Sequence, residues 1–394
     1  MNDYAKNHKR KRTFSTSALL ALGVLLIPLI LISCTDATMT PADETAEAVT
    51  MDRSDYPDPN RVISQSRSPF QTALKNNNNA PELATPILGL ATAPNGDIMI
   101  ADAGSGVRSL DGMTEISLPG VSSIAPLGRS SLWALQGLIG NPGSVGGQSL
   151  FRVSNGNAQL IANLYQFEAD NNPDGGIIDS NPFDVYALNG NTALVADAAG
   201  NDLLRVSNQG EIGVVAILPP EIVSTSDLKD LFGCPGSGAI FCFVPPQIPA
   251  EAVSTSVEVG PDGYYYVGEL KGFPSPLGKS NIWRVDPASE NVRCGIDPGC
   301  EKVFDGGFTS IVDLAFDEEG YLYVAELDEK GWFAVEIDAG IGGTINKCDL
   351  SSGICTEVAT GIPLLTAITI GKDGSLWAAK NGLIPGLAEV FKVN

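Results

Sequence analysis

The sequence predicts an all-β fold, a six-bladed β-propeller of four-stranded antiparallel blades. Two observations lead there: a turn-and-strand motif recurs six times, and the composition suits strands and turns. Among 394 residues there are 43 Gly and 26 Pro, which favour many short strands joined by tight turns over helical bundles. At 43% hydrophobic and 18% charged, the chain can also bury a large core and is too apolar for wholesale disorder.

Residues 1–33 read as an export signal. Lys6, Lys9, Arg10, Lys11 and Arg12 form a basic start, and an apolar run follows from about Ala18 to Ile32. Charge, a short apolar run and small residues before a cut is secretory-signal logic. The ending Leu31-Ile32-Ser33-Cys34 resembles a bacterial lipobox, in which the Cys is lipidated and becomes the first residue. An uncleaved anchor is the competing reading, because Thr13 to Ser33 is about long enough to span a bilayer. Both place the rest of the chain outside the cytoplasm, touching the membrane only through the N-terminus. Residues 34–80 are polar, end in Asn76-Asn77-Asn78-Asn79, and read as a flexible tether.

The propeller is assigned to residues 81–394. Its repeat copies are APNGDIMIADA from Ala93, PLGRSSLWALQG from Pro126, LNGNTALVADA from Leu188, GPDGYYYVGEL from Gly260, FDEEGYLYVAEL from Phe316 and GKDGSLWAAK from Gly371. Each is a tight turn followed by an apolar, aromatic or β-branched run, the signature of a β-hairpin. First strands precede the turns (LGLATA, SSIAPL, FDVYAL, TSVEVG, VDLAF, TAITIG). Third strands follow as GVRSLDG, LFRVSNG, LLRVSNQG, NIWRVDP, WFAVEID and EVFKVN. Fourth strands follow in five copies, as TEISLPG, AQLIANL, IGVVAIL, EKVFDG and ICTEVAT. Four strands repeated six times describe a propeller, with a solenoid as the competing repeat fold. The last copy stops at its third strand, so residues near Phe70-Leu74 are expected to donate the fourth and close the ring.

Composition restricts the chemistry. With 24 Lys+Arg against 46 Asp+Glu, a net charge of −22 argues against nucleic-acid binding, which draws on clustered cations. Losing the signal removes five basic and one acidic residue, taking the charge to −26, and removes His8, the single histidine. Ser-His-Asp and Cys-His mechanisms and His-ligated zinc then drop out. Setting Cys34 aside, six cysteines form three local pairs: Cys234 with Cys242, Cys294 with Cys300, and Cys348 with Cys355. Their short Gly- and Pro-containing spacers favour nearest-neighbour disulfides in an oxidising compartment.

Polar residues fall at equivalent repeat positions. The second strands end on Asp102, Gln136, Asp197, Glu269, Glu326 and Lys380; these either accept loop N–H bonds and tie blades or ring one mouth of the channel. The first strands, which line a propeller's axis, carry Asp184 and Asp313 among small residues. That pair either stands solvated in the channel or shares a divalent ion. Asp170-Asn171-Asn172-Pro173-Asp174-Gly175 matches the opening of a calcium loop, with Asp170, Asn172 and Asp174 as oxygens and Asp179 or Asn181 completing the set. A self-bonded Asx-turn loop is the alternative. Lys271 and Phe273 follow Glu269 in a Pro-containing loop, which either walls a ligand pocket or is simply stiffened.

The stretches DNNPDGGIIDSNPFDVYAL, ALVADAAGNDLLRV, VGPDGYYYVGELKGFPSPLG and FTSIVDLAFDEEGYLYVAEL resemble the ScyD/ScyE family of exported bacterial propeller-like proteins. The resemblance covers roughly residues 81–394 and departs from the family at the lipobox and at Asp184. It implies an extracytoplasmic six-bladed fold and supplies no reaction. The expectation is therefore an envelope binding or accessory protein, its partner a small molecule, a glycan or an envelope protein. The rival is a metal-dependent hydrolase such as a lactonase, with Asp184 and Asp313 as metal ligands or base.

Overall fold

A computed structural model describes residues 83–113, 115–128, 131–137 and 147–393. The export signal, Cys34, the tether and the strand expected near residues 70–74 lie outside the described residues.

Six antiparallel sheets succeed one another along the chain, forming a six-bladed β-propeller. Blade 1 is β1 (Ile87–Thr92), β2 (Ile98–Asp102), β3 (Gly106–Ser109) and β4 (Glu115–Ser117); blade 2 is β5 (Val121–Pro126), β6 (Ser131–Gln136), β7 (Ser149–Ser154) and β8 (Asn157–Asn163). A short helix, α1 (Leu164–Asn171), leads to blade 3: β9 (Pro182–Asn189), β10 (Thr192–Asp197), β11 (Asp202–Ser207) and β12 (Ile212–Ile217). An excursion follows, pairing β13 (Glu221–Ser224) with β14 (Gln247–Ala250) around α2 (Ser226–Leu231). Blade 4 is β15 (Ser254–Val259), β16 (Tyr265–Glu269), β17 (Ser280–Val285) and β19 (Cys300–Phe308). Before β19, the two-residue β18 (Val292–Arg293) joins β12 in parallel and couples blades 3 and 4. Blade 5 is β20 (Ile311–Phe316), β21 (Leu322–Glu326), β22 (Gly343–Asp349) and β23 (Ile354–Ile362), with α3 (Trp332–Glu336) between β21 and β22; blade 6 is β24 (Ala367–Ile370), β25 (Leu376–Lys380) and β26 (Glu389–Lys392).

The turn chemistry behaves as expected. Gly96, Gly263, Gly320 and Gly374 close the first hairpins at φ between +77° and +97°, a region that disfavours any residue with a Cβ. The second strands are packed on both faces by neighbouring blades; β2 and β16 are buried along their whole length. That explains their continuous apolar runs. One such interface packs Leu194, Leu203 and Val215 of blade 3 on Val257, Val267 and Trp283 of blade 4. The ring closes where blade 6 meets blade 1: Thr92 Oγ1 donates to the Ile370 carbonyl at 2.8 Å and Ile87 N to that of Gly382 at 2.8 Å.

One strand assignment is corrected. WFAVEID, expected as the third strand of blade 5, begins with the helix α3, and the polar GTINKCD takes the strand's place as β22. A short apolar segment fits helix or strand equally. Here Trp332 and Phe333 are drawn into a core with Phe232, Phe241 and Phe273, the Phe273 and Phe333 rings meeting edge-on at 5.8 Å.

The three cysteine pairs are disulfides between nearest neighbours, as expected. Cys234 bonds Cys242 with their Cα atoms 5.4 Å apart, and this bridge staples the excursion between blades 3 and 4. Cys294 bonds Cys300 at a Cα separation of 4.7 Å and closes the β18–β19 loop. Cys348 bonds Cys355 at 4.0 Å, where the two residues face each other across the β22–β23 ladder. Together they suggest an oxidising compartment. Among the described residues no helix is long and apolar enough to cross a membrane.

Candidate functional site

The acids that end the second strands are stitches within each blade. Asp102 accepts from Ala84 N at 2.9 Å, Asp197 from Asn181 N at 2.7 Å, and Glu326 from Thr309 N. Each of those amides lies just before the first strand of the same blade, so the carboxylate pins the segment as it turns toward the axis. Gln136 instead donates to the Pro119 carbonyl, and Lys380 pairs with Glu389 at 3.2 Å.

Asp184 and Asp313 do a related job between blades. Asp184 accepts from Ser123 Oγ at 2.6 Å and from its own neighbour Val185 N, while its other oxygen takes Val257 N of the next blade at 2.8 Å. Asp313 accepts from Leu314 N and, across the blade joint, from Ile368 N at 2.7 Å. All four oxygens are thus engaged by protein donors. Burial raises both carboxyls, and the charge of Asp184 adds to the rise at Asp313. A third acid, Glu258, joins them and is pushed up to about 8 by burial and by Asp184. Sequence reasoning missed it because it lies two residues beyond the register position of Ser256.

The Glu269–Lys271–Phe273 segment is structural at close quarters. Glu269 and Lys271 are fully buried, and Phe273 belongs to the aromatic core around Phe333. Lys271 Nζ sits 2.7 Å from Glu269 and 2.8 Å from Glu221. Glu269 also takes Asn281 Nδ2 at 2.7 Å and Trp283 Nε1 at 2.5 Å. Burial pushes the Glu269 carboxyl up against the pull of Lys271. Burial works against Glu221 as well, yet hydrogen bonds from Lys271 and Lys302 hold it down at about 2.

Glu221 is where this buried network reaches a surface groove of about 860 Å³ on the outer side of blades 3 and 4. Tyr264, Trp283, Arg284, Lys302 and the Cys294–Cys300 disulfide line it. The Arg284 guanidinium lies over the Tyr264 ring, 3.4 Å from its centre, and is anchored by Asp262 at 3.1 Å. Lys302 bonds Glu221 at 2.5 Å and Asp305 at 2.6 Å. Apart from the two cysteines, none of these lining residues stood out in sequence. The one available signal was spacing: from Leu188 to Gly260 is the longest interval between neighbouring repeat copies, and it holds the excursion that delivers Glu221.

The calcium-loop residues are dispersed. Asp170 is exposed on the last turn of α1, accepting from Gln166 at 3.0 Å. Asn172 is the left-handed cap of α1, and its side chain closes a turn onto Gly175 N and the Gly176 carbonyl. The Asx-turn reading therefore describes this end of the loop. Asp174 and Asp179 turn the other way, Asp174 to accept from Asn201 Nδ2 in the β10–β11 turn at 3.0 Å and Asp179 toward Asp197 on the end of β10. Asn181 meets that acid through its backbone N–H. Among the described residues no group of three or more acids, cysteines or histidines is already placed to hold a metal ion.

No protein-family model and no curated protein sequence matches the chain. Solved structures with a similar fold include a Bacteroides thetaiotaomicron protein of unknown function, 12% identical over 81% of this chain and 72% of that one, TM-score 0.49. Others are the soluble aldose sugar dehydrogenase of Escherichia coli (13%, 80% and 99%, TM-score 0.46) and the calcium-binding protein regucalcin of Agrobacterium tumefaciens (14%, 76% and 83%, TM-score 0.45). No site residue is carried over from any of them.

Proposed function

We propose that this chain is an extracytoplasmic binding or accessory protein of the bacterial cell envelope, exported by residues 1–33 and anchored through lipid on Cys34. The lipobox-like Leu31-Ile32-Ser33-Cys34, the resemblance to the ScyD/ScyE family and the three disulfides support that placement. The observation that carries the binding reading is the groove between blades 3 and 4. Its Arg284–Tyr264 stack, Lys302 and Glu221 offer fixed donors and acceptors beside aromatic surface. Few polar groups held on a rigid, partly apolar wall is how a ligand site gains orientation and specificity. The mixture suits a polyhydroxylated ligand such as a glycan, which needs both hydrogen-bond partners and ring faces. The chain's net acidity disfavours anionic ligands. Binding is favoured over hydrolysis because Asp184 and Asp313 spend their oxygens on the blade joints.

The test is a glycan array probed with the exported protein, followed by titration of hits while Trp fluorescence is recorded. Arg284→Ala and Lys302→Ala are expected to weaken a hit about tenfold each, the scale of one lost charge-assisted hydrogen bond. A ligand whose affinity neither substitution changes would place recognition elsewhere.

A further inference from the structure

Blade 3 holds more acid than its hydrogen bonds absorb. Asp197 and Asp202 face each other across the turn that joins β10 to β11. Glu168 of α1 lies over them, and the following loop adds Asp174 and Asp179. Glu168, Asp179, Asp197 and Asp202 are 3%, 8%, 2% and 1% exposed. Among the described residues no Lys or Arg comes within ion-pair distance of any of the five.

The donors present serve only some of these oxygens. Asp197 takes Ser180 Oγ at 2.5 Å, Asn181 N at 2.7 Å and Gly200 N at 3.2 Å. Asp174 takes Gly176 N and Asn201 Nδ2, and Asp179 takes Ser180 N. Glu168 Oε1 and Asp202 Oδ1 are buried with no partner. Both acids of the hairpin turn toward one small space: a methyl group placed on Gly200 would lie 3.4 Å from Asp197 Cγ and 3.5 Å from Asp202 Oδ1. Burial, reinforced by the neighbouring charges, pushes Glu168 up to about 8 and Asp202 well above the carboxylate range.

Uncompensated buried carboxylates are neutralised by protons or by a cation. The donor set decides which cation: it is all oxygen, from carboxylates, amides and backbone, with no imidazole or thiolate. Such a set suits a hard ion, and its irregular placement suits the flexible six- to eight-fold coordination of calcium better than the strict octahedron of magnesium. We infer that this pocket beneath α1 is a calcium site, with Glu168 and Asp202 supplying its uncommitted oxygens, Asp174 and Asp179 its rim, and Asp197 its hydrogen-bonded floor. No three acids already close around one point, so binding draws Glu168 inward. Its Oε1 gives up no hydrogen bond to do so. Calcium then fastens α1 to the β10–β11 hairpin. The site is independent of the groove and of whatever binds there.

The test uses the full chain freed of metal with a chelator, then titrated with Ca²⁺ alone by calorimetry and thermal melting, with Mg²⁺ as comparator. One Ca²⁺ per chain is expected, with a melting temperature that rises with calcium concentration and responds less to Mg²⁺. Glu168→Gln and Asp202→Asn should each lower calcium affinity at least about tenfold, the scale of a lost ligand or its supporting contact. Asp170→Asn, which removes an exposed acid of the same loop, should leave it unchanged. Circular dichroism of Glu168→Gln confirms that the propeller is intact. Absence of calcium heat and of any shift at millimolar Ca²⁺ overturns the assignment. So does calcium binding that survives both substitutions, or that is lost in Asp170→Asn.

Discussion

Lys271→Met tests how the joint between blades 3 and 4 is held. Met fills nearly the space of the Lys stem, so the substitution removes the charge with little loss of packing. The two partner carboxylates then suffer unequally. Glu221 has a side chain 31% exposed and keeps Lys302 at 2.5 Å and Asn281 Nδ2 at 2.7 Å, so solvent and a second cation absorb most of its loss. Glu269 is fully buried and keeps only neutral donors, Asn281 N at 3.3 Å, Asn281 Nδ2 and Trp283 Nε1. Removing one partner of a buried pair costs about 3–5 kcal/mol, and the surviving hydrogen bonds place this case near the lower end. For a domain of this size a loss of about 3 kcal/mol lowers the melting temperature by roughly 6 °C. Thermal denaturation followed by circular dichroism at neutral pH reads it directly. Adding Glu269→Gln should restore most of the loss, because a buried amide needs no counter-charge. The deficit should also shrink in acid. Without Lys271, the folded-state pKa of Glu269 rises further above its unfolded value, so the unpaired group costs nothing below the unfolded value and most above the folded one. A fall of less than about 2 °C, equivalent to roughly 1 kcal/mol, refutes the reasoning. A double variant no more stable than Lys271→Met also refutes it.

The channel acids make a pH prediction. Glu258 is raised to about 8, so its contribution to stability is full below the unfolded carboxylate pKa and is lost as pH rises through about 8. Glu258→Gln should flatten the fall in stability between the unfolded carboxylate range and about pH 8, a slope of up to about 1.4 kcal/mol per pH unit, seen as a melting temperature that changes less with pH. Asp313→Ala leaves Ile368 N without its acceptor, at a cost of about 1–3 kcal/mol; hydrogen exchange should show the Ile368 amide exposed before the rest of blade 6. Replacing Cys294 and Cys300 together by Ser opens a seven-residue loop, and urea melts should show a loss of roughly 2 kcal/mol with the far-ultraviolet spectrum preserved.

What could be read from the sequence was what local chemistry decides. Turns such as Asn95-Gly96-Asp97 and Pro261-Asp262-Gly263 announce themselves because only a few residues tolerate their backbone, and the strands on either side follow. The cysteine pairs were legible for the same reason, since Cys242, Cys300 and Cys355 each lie within eight residues of their partners. The third strand of blade 5 was not, because its slot is set by pairing with β21. Pairing accepts polar GTINKCD as readily as an apolar run, while burial of Trp332 and Phe333 settles the competing segment as a helix. The calcium-loop spacing reached only Asp174 and Asp179 of the blade 3 pocket for a similar reason. Asn163 caps α1 by accepting from Gln166 N, and the helix then turns Asp170 to solvent while aiming Glu168 inward. Nothing local links Glu168 to Asp202, and only the packing of α1 on blade 3 brings them together. Glu269 and Lys271 were legible as polar residues at a strand end, but their partner Glu221 arrives on an excursion with no counterpart in the other blades.

The buried acids of this propeller have a common origin that separates their roles. A chain returning to the axis after each outer strand carries amides that no sheet pairs, and a buried N–H without an acceptor is costly. Asp102, Asp197 and Glu326 answer Ala84, Asn181 and Thr309; Asp184 and Asp313 answer Val257 and Ile368. Asn201 extends the same logic across the blade 3–blade 4 joint, accepting from Val253 N at 2.9 Å while donating to Asp174 at 3.0 Å. In all these places the acceptor exists because a donor demands it, so folding alone accounts for the residue. Glu168 and Asp202 break the pattern. Their free oxygens are the only buried carboxylate oxygens without a partner among the described residues, and both belong to one pocket. An acceptor that no backbone donor requires adds a desolvation cost and no fold stability of its own. Its retention calls for a proton or a cation, which is why Glu168 and Asp202 are read as ligands, and Asp102, Asp184, Asp197, Asp313 and Glu326 as stitching.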